Sequence, residues 1–255
     1  MTQQEFMIDD DGIRLHCKLD VPDTENGAER LILLFPGFSG DMEEPQIISA
    51  KDAMNEAGFA VLRSELYGHG KSGGTFKEHT LLKWLDNAIA VTDYARKLPS
   101  VRELHVCGHS QGGLLGILLA AVKPDVFSSM ILLSPAVTIP YDAKRGMMLG
   151  QSFDPDHIPE TIGVWYDMEL SGNYARIAKL IDVEAAASAY HGPTVIIHGE
   201  QDETVPFQAS KRILHCFNDA ELIPVEGAMH CYEEKLDVLK QCVKEFLIRQ
   251  KKTED

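Results

Sequence analysis

The chain is poor in the features that mark several protein classes. Its 255 residues include five cysteines, Cys17, Cys107, Cys216, Cys231 and Cys242. That odd number, with no C-x-x-C pair, indicates neither a disulfide framework nor a zinc site, so no metal is expected. Basic residues are outnumbered, with 24 Lys and Arg against 39 Asp and Glu and a formal net charge of −15. A surface this acidic repels phosphate backbones and anionic lipids. Nucleic acid and membrane are therefore excluded as expected partners, and a small molecule is left. No apolar run approaches the length of a membrane span; Leu114 to Val122 is long enough only for a buried helix. The first residues, Met1-Thr2-Gln3-Gln4-Glu5, lack the basic region and apolar core of a secretory signal, so a cytoplasmic location is expected.

What the chain does have is a regular alternation of strand-like and helix-like segments. Phe6 to Ile8 and Leu15 to Leu19 read as two strands joined by a turn at Asp9-Asp10-Asp11-Gly12. Leu31 to Phe35, Ala60 to Leu62, Leu104 to Cys107, Met130 to Leu133, Pro193 to His198 and Ala220 to Ile223 read as further strands. Helical segments are expected from Pro45 to Gly58, from an N-cap at Thr80 to a stop at Pro99, over Leu114 to Val122, and over Leu236 to Leu247. Strands alternating with helices imply an α/β fold, a mostly parallel sheet with helices on both faces. Between Val137 and Tyr190 the alternation fails, and roughly fifty residues are too many for a plain connection. The expected organisation is a core of residues 1–136 and 191–255 with an inserted lid or cap over 137–190. The insertion follows a strand's carboxyl end, where ligands bind in open α/β sheets.

The chemistry-bearing motif is Gly108-His109-Ser110-Gln111-Gly112, set between a strand and a helix. This G-x-S-x-G context turns sharply, exposes the serine hydroxyl, and aims a helix N-terminus at the site of a developing oxyanion. Ser110 is the expected nucleophile. A serine needs a base, and the base an orienting acid. Asp202 follows the strand ending at His198, and His230 follows the strand ending near Ile223, giving the chain order Ser, Asp, His expected of this arrangement. Glu200 and Glu203 are the alternative acids, read as a solvated loop. His69, in the loop Gly68-His69-Gly70-Lys71-Ser72, is read as a structural hydrogen-bonding residue, and Cys231 as a poor nucleophile because no turn presents it. Two backbone N–H groups are expected to bind the oxyanion, those of Gln111 and of Phe38, the latter flanked by Gly37 and Gly40.

With these residues, and with Phe153-Asp154-Pro155-Asp156-His157-Ile158-Pro159-Glu160 and Gly172-Asn173-Tyr174 in the insertion, the chain resembles the bacterial cinnamoyl or feruloyl esterases of the α/β-hydrolase superfamily. The resemblance implies a serine carboxylesterase that hydrolyses hydroxycinnamate esters through an acyl-enzyme, with no cofactor. General short-chain ester or monoacylglycerol hydrolysis is the alternative. It carries over Ser110, Asp202 and His230 as triad, Phe38 and Gln111 as oxyanion donors, and a homodimer as partner state. The chain departs from many superfamily members in having Pro36-Gly37 where they have His-Gly. It also has Leu149 where some place a glutamine for the phenolic hydroxyl. Trp165 has two readings, a wall for the aromatic ring of a cinnamoyl group or a core residue pinning the lid. Met147, Met148 and Leu149 likewise read as an adaptable apolar pocket or as the buried face of a short helix.

Overall fold

The computed structural model describes residues 1–24 and 28–252, the side chains of Tyr166, Lys251 and Lys252 excepted. Its strands are β1 (Thr2–Asp10), β2 (Ile13–Val21), β3 (Arg30–Phe35), β4 (Ala60–Ser64), β5 (Glu103–His109), β6 (Phe127–Leu133), β7 (Met147–Met148), β8 (Gln151–Ser152), β9 (Thr161–Val164), β10 (Met168–Ser171), β11 (Thr194–Gly199) and β12 (Ala220–Val225). Its α-helices are α1 (Pro45–Glu56), α2 (Leu81–Ala95), α3 (Gln111–Val122), α4 (Ile139–Lys144), α5 (Gly172–Ala178), α6 (Val183–Ala189), α7 (Phe207–Leu214) and α8 (Leu236–Lys252). Eight strands form one sheet in the order β1-β2-β4-β3-β5-β6-β11-β12. β2 runs antiparallel to both β1 and β4, and the other pairings are parallel.

The alternation of side chains along a strand explains the layers. In β3, Leu31, Leu33 and Phe35 join the core shared with α2 and α3, while Ile32 and Leu34 join the core shared with α1 and α8. A strand buried on both faces must be continuously apolar, as this one is. Helix α3 is buried from Gln111 to Ala120, which accounts for its lack of a polar face.

The eight runs read as strands all contribute to this sheet, seven with longer ends and Pro193 to His198 shifted by one residue to Thr194–Gly199. β1 begins at Thr2 rather than Phe6 because its polar, exposed residues pair with β2 along the whole hairpin. α2 ends at Ala95, and turns from Lys97 to Tyr94 and from Leu98 to Ala95 carry the chain to Pro99. Helix α7 was not evident from sequence; Ala209 and Ile213, four residues apart, are its buried contacts. Residues 137–190 hold α4, two small antiparallel pairs, β7 with β8 and β9 with β10, then α5 and α6. Met147 and Met148 belong to a two-residue strand, not a helix.

Candidate active site

Ser110 sits between β5 and α3 with φ 55° and ψ −118°, a conformation that L-residues avoid. Neighbouring backbone holds it there. Its N–H donates to Leu133 O at 2.9 Å, and its carbonyl accepts from Gly113, Leu114 and Ala136. The flanking glycines are sterically required. A Cβ on Gly108 would lie 2.0 Å from Gly112 O, and one on Gly112 would lie 2.3 Å from Phe35 O. Helix α3 therefore starts flush against the carboxyl end of β5, with Ser110 as its N-cap residue at the positive end of the helix dipole.

The structure brings Asp202 and His230 together. His230 Nδ1 is 2.7 Å from Asp202 Oδ2. Asp202 lies on the turn after β11, and its other oxygen accepts from the N–H groups of Thr204 and Val205. Burial alone would raise the pKa of this carboxyl. Hydrogen bonds from His198 and His230 and from the Val205 N–H outweigh it and hold the group well below the usual carboxylate range. It is an anion in hydrogen-bond contact with His230. Glu200 and Glu203 are exposed on the same turn, and Glu203 lines the cavity.

Two histidines support this pair. His198 Nε2 lies 3.1 Å from Asp202 Oδ2, so the carboxylate is held between two imidazoles. His109 Nε2 donates to the His230 carbonyl at 3.0 Å, and its Nδ1 faces the Gln46 amide at 3.4 Å. Burial pushes the His109 pKa down to about 3, so it acts as a neutral strut for the His230 loop. In the sequence His198 ends a strand and His109 sits inside the elbow, and neither position by itself signals contact with this pair. The i, i+4 spacing of His198 and Asp202 across the turn was the available signal.

Phe38 and Gln111 flank the serine from two sides. Among the described residues neither backbone N–H has an acceptor. The Phe38 ring packs on Phe76 at 5.1 Å and His79 at 5.5 Å. His69 fixes the next residue, accepting from Ser39 N–H at 3.1 Å through Nε2 while Nδ1 donates to Tyr67 O. Burial lowers the His69 pKa to about 4, which keeps it neutral and able to accept. The Gln111 side chain is clamped by Tyr174 of α5, whose hydroxyl donates to Oε1 at 2.6 Å.

Phe38, Ser110 and His230 line a cavity of about 880 Å³, together with apolar residues from 137–190, among them Ile139, Met147, Leu149 and Trp165. Trp165 is 38% exposed and lines this cavity. Cys231 also lines it, but burial and the nearby carboxylates of Glu233, Glu44 and Asp202 push its thiol up to about 12. That thiol stays protonated and unreactive. Among the described residues no group of three His, Cys, Asp or Glu side chains is arranged to hold a metal ion. No helix among them is long and apolar enough to cross a membrane.

Residues 27–161 match the family profile described as Hydrolase_4, serine aminopeptidase, S33. Among solved structures, Est1E from Butyrivibrio proteoclasticus with ferulic acid bound is 43% identical, covering 96% of this chain and 98% of that one with a TM-score of 0.94. More distant relatives include the mitochondrial palmitoyl-protein thioesterase ABHD10 of Bos taurus, 22% identical over 81% of this chain and 69% of the relative. The monoglyceride lipase homolog of monkeypox virus is 23% identical over 95% of each. The profile match, the near-complete overlap with Est1E, the eight-stranded sheet and the elbow agree, and the chain belongs to the Hydrolase_4 (serine aminopeptidase, S33) family of α/β-hydrolases.

Proposed function

We propose that the protein is a serine carboxylesterase that hydrolyses hydroxycinnamate esters. The observation that carries the ester-hydrolase part is the strained Ser110 near two open N–H donors, sharing a cavity with His230, which is hydrogen-bonded to Asp202. In the proposed mechanism His230 Nε2 takes the Ser110 proton as Oγ attacks the ester carbon. The carbonyl oxygen becomes an oxyanion held by the N–H groups of Phe38 and Gln111. His230 then protonates the departing alkoxide, leaving an acyl-Ser110. Water, deprotonated by the same imidazole, attacks this ester and releases the acid and the free hydroxyl.

Two features support the hydroxycinnamate acyl group. The cavity carries apolar and aromatic surface suited to a flat ring, with Trp165 as its largest element. Est1E, similar to this chain along nearly its full length, holds ferulic acid. In this reading residues 137–190 are the lid over the acyl group, and Leu149 contributes shape but no hydrogen bond to a ring hydroxyl. The test is kcat/KM for methyl ferulate, p-nitrophenyl acetate, a long-chain monoacylglycerol and an aminoacyl p-nitroanilide. Preference for methyl ferulate is the expected result. Preference for the monoacylglycerol moves the protein to lipid hydrolysis, and preference for the anilide moves it to peptide chemistry.

A further inference from the structure

His198 takes no step in the chemistry above, yet it is wholly buried near the end of β11, beside Asp202. Its ring has a partner at each nitrogen. Nε2 is 2.9 Å from Val205 O and 3.1 Å from Asp202 Oδ2. A carbonyl oxygen only accepts, so Nε2 carries a hydrogen, shared between these two oxygens. Nδ1 is 2.6 Å from the hydroxyl of Ser210, a buried residue of α7. With Ser210 donating there, both ring nitrogens are satisfied without a second proton. Val205 closes the arrangement, because its N–H donates to Asp202 Oδ1 while its carbonyl accepts from His198.

Asp202 Oδ2 therefore meets two imidazoles, His198 at 3.1 Å and His230 at 2.7 Å. Each donor on an anionic oxygen stabilises the anion and weakens its hold on a proton. Resting on the ester-hydrolase reading, we infer that His198 is a positioning residue that fixes the Asp202 oxygen facing His230 and weakens the hold of the Asp202–His230 unit on a proton, so that the base stays free in mildly acidic solution. Burial pushes the Asp202 carboxyl up, and the hydrogen bonds from His198 and His230 more than reverse this. Other titratable groups face the unit from the elements around it. Glu44, before α1, is within reach of the His230 charge, and burial raises its pKa to about 7. Glu203 and Glu233 line the same cavity as His230. Once ionised, all three carboxylates favour a cation on the imidazole. His109, Cys231 and Tyr232 carry no charge near neutral pH, because burial pushes the first down to about 3, the second up to about 12 and the third higher still. His198 works against the carboxylates.

The experiment measures the second-order rate of Ser110 labelling by a fluorophosphonate across about pH 5–9. It compares the wild type with His198→Leu, His198→Gln and Ser210→Ala, and follows kcat/KM for methyl ferulate over the same range. The acid limb of each profile reports protonation of the Asp202–His230 unit. In His198→Leu the limb is expected to move up by about one pH unit, the scale of one hydrogen bond to a charged group. The side-chain amide of His198→Gln donates in place of Nε2, and the limb is expected to return to within about 0.3 unit of wild type. Ser210→Ala takes the donor from Nδ1, which makes Nε2–H a weaker donor, so the limb moves the same way by less. This variant carries the test should His198→Leu fail to fold. Glu44, Glu203 and Glu233 are present throughout, so the difference between profiles belongs to His198. A limb that stays in place while labelling falls evenly at every pH marks a merely structural residue and overturns the inference. An equal shift in His198→Leu and His198→Gln also overturns it, because the donor is then not the cause. The expected shift in labelling without turnover of methyl ferulate overturns the hydroxycinnamate reading and keeps the inference. A wild type that is not labelled overturns the ester-hydrolase reading and, with it, the inference.

Discussion

Tyr174→Phe tests whether the inserted segment helps to hold the oxyanion donors in place. The substitution removes one hydroxyl from a side chain that is wholly buried and leaves the ring's shape intact. That hydroxyl makes a single 2.6 Å bond to Gln111 Oε1, and Gln111 Nε2 is already without a partner. After substitution both ends of a buried amide are bare. An orphaned buried acceptor costs ~1–3 kcal/mol, and in a domain of this size each kcal/mol shifts Tm by ~2–4 °C. The expected fall in Tm, by differential scanning calorimetry at pH 7, is therefore roughly 3–8 °C. The protein stays folded, because such domains have ~5–15 kcal/mol of stability. Deleting an oxyanion donor outright costs ~10²–10³ in kcat, and a donor that is loosened costs less, so kcat is expected to fall by roughly tenfold with a smaller change in KM. A Tm within about 1 °C of wild type would show that the bond is not made. A lowered Tm with unchanged kcat would refute the link between α5 and the oxyanion site.

Two further predictions concern residues of the same cavity. Trp165→Ala is expected to raise KM for methyl ferulate by roughly tenfold while changing that for p-nitrophenyl acetate much less, on the scale of a lost aromatic contact and its buried area; steady-state kinetics showing equal changes would leave Trp165 only a structural part. Glu44 is an acid whose folded pKa of about 7 lies above its ordinary 4.5, so its contribution to stability is full below pH ~4.5 and is lost as pH rises through 7. Glu44→Gln is therefore expected to raise Tm relative to wild type at pH 8 and to leave it unchanged at pH 4.5, and a gain of equal size at both values would show that ionisation is not the cause.

The sheet and the elbow were legible because their signals are local. Leu31 to Phe35 is apolar on every residue because both faces are covered, and Gly108 and Gly112 stand four residues apart because the backbone crowds both positions. Asp202 and His230 were findable from chain order and strand ends, and the structure places them in hydrogen-bond contact. The supports were not legible because their partners are distant in sequence. His109 meets the His230 carbonyl 121 residues away, and Tyr174 meets Gln111 63 residues away. Within 137–190 the strands have two to four residues, too few for a period to show, so the sequence marks a break in the alternation without revealing its parts. Glu44 was hidden for another reason. A glutamate before Pro45 reads as an ordinary polar helix start, and only the fold shows its oxygen buried beside the site.

The central claim is that Ser110 is the nucleophile, and intact-mass analysis after treatment with a fluorophosphonate tests it most directly. One covalent adduct is expected on the wild-type protein, mapped to Ser110 by peptide digestion, and none on Ser110→Ala. An unlabelled wild type, or an adduct that persists on Ser110→Ala, would contradict it.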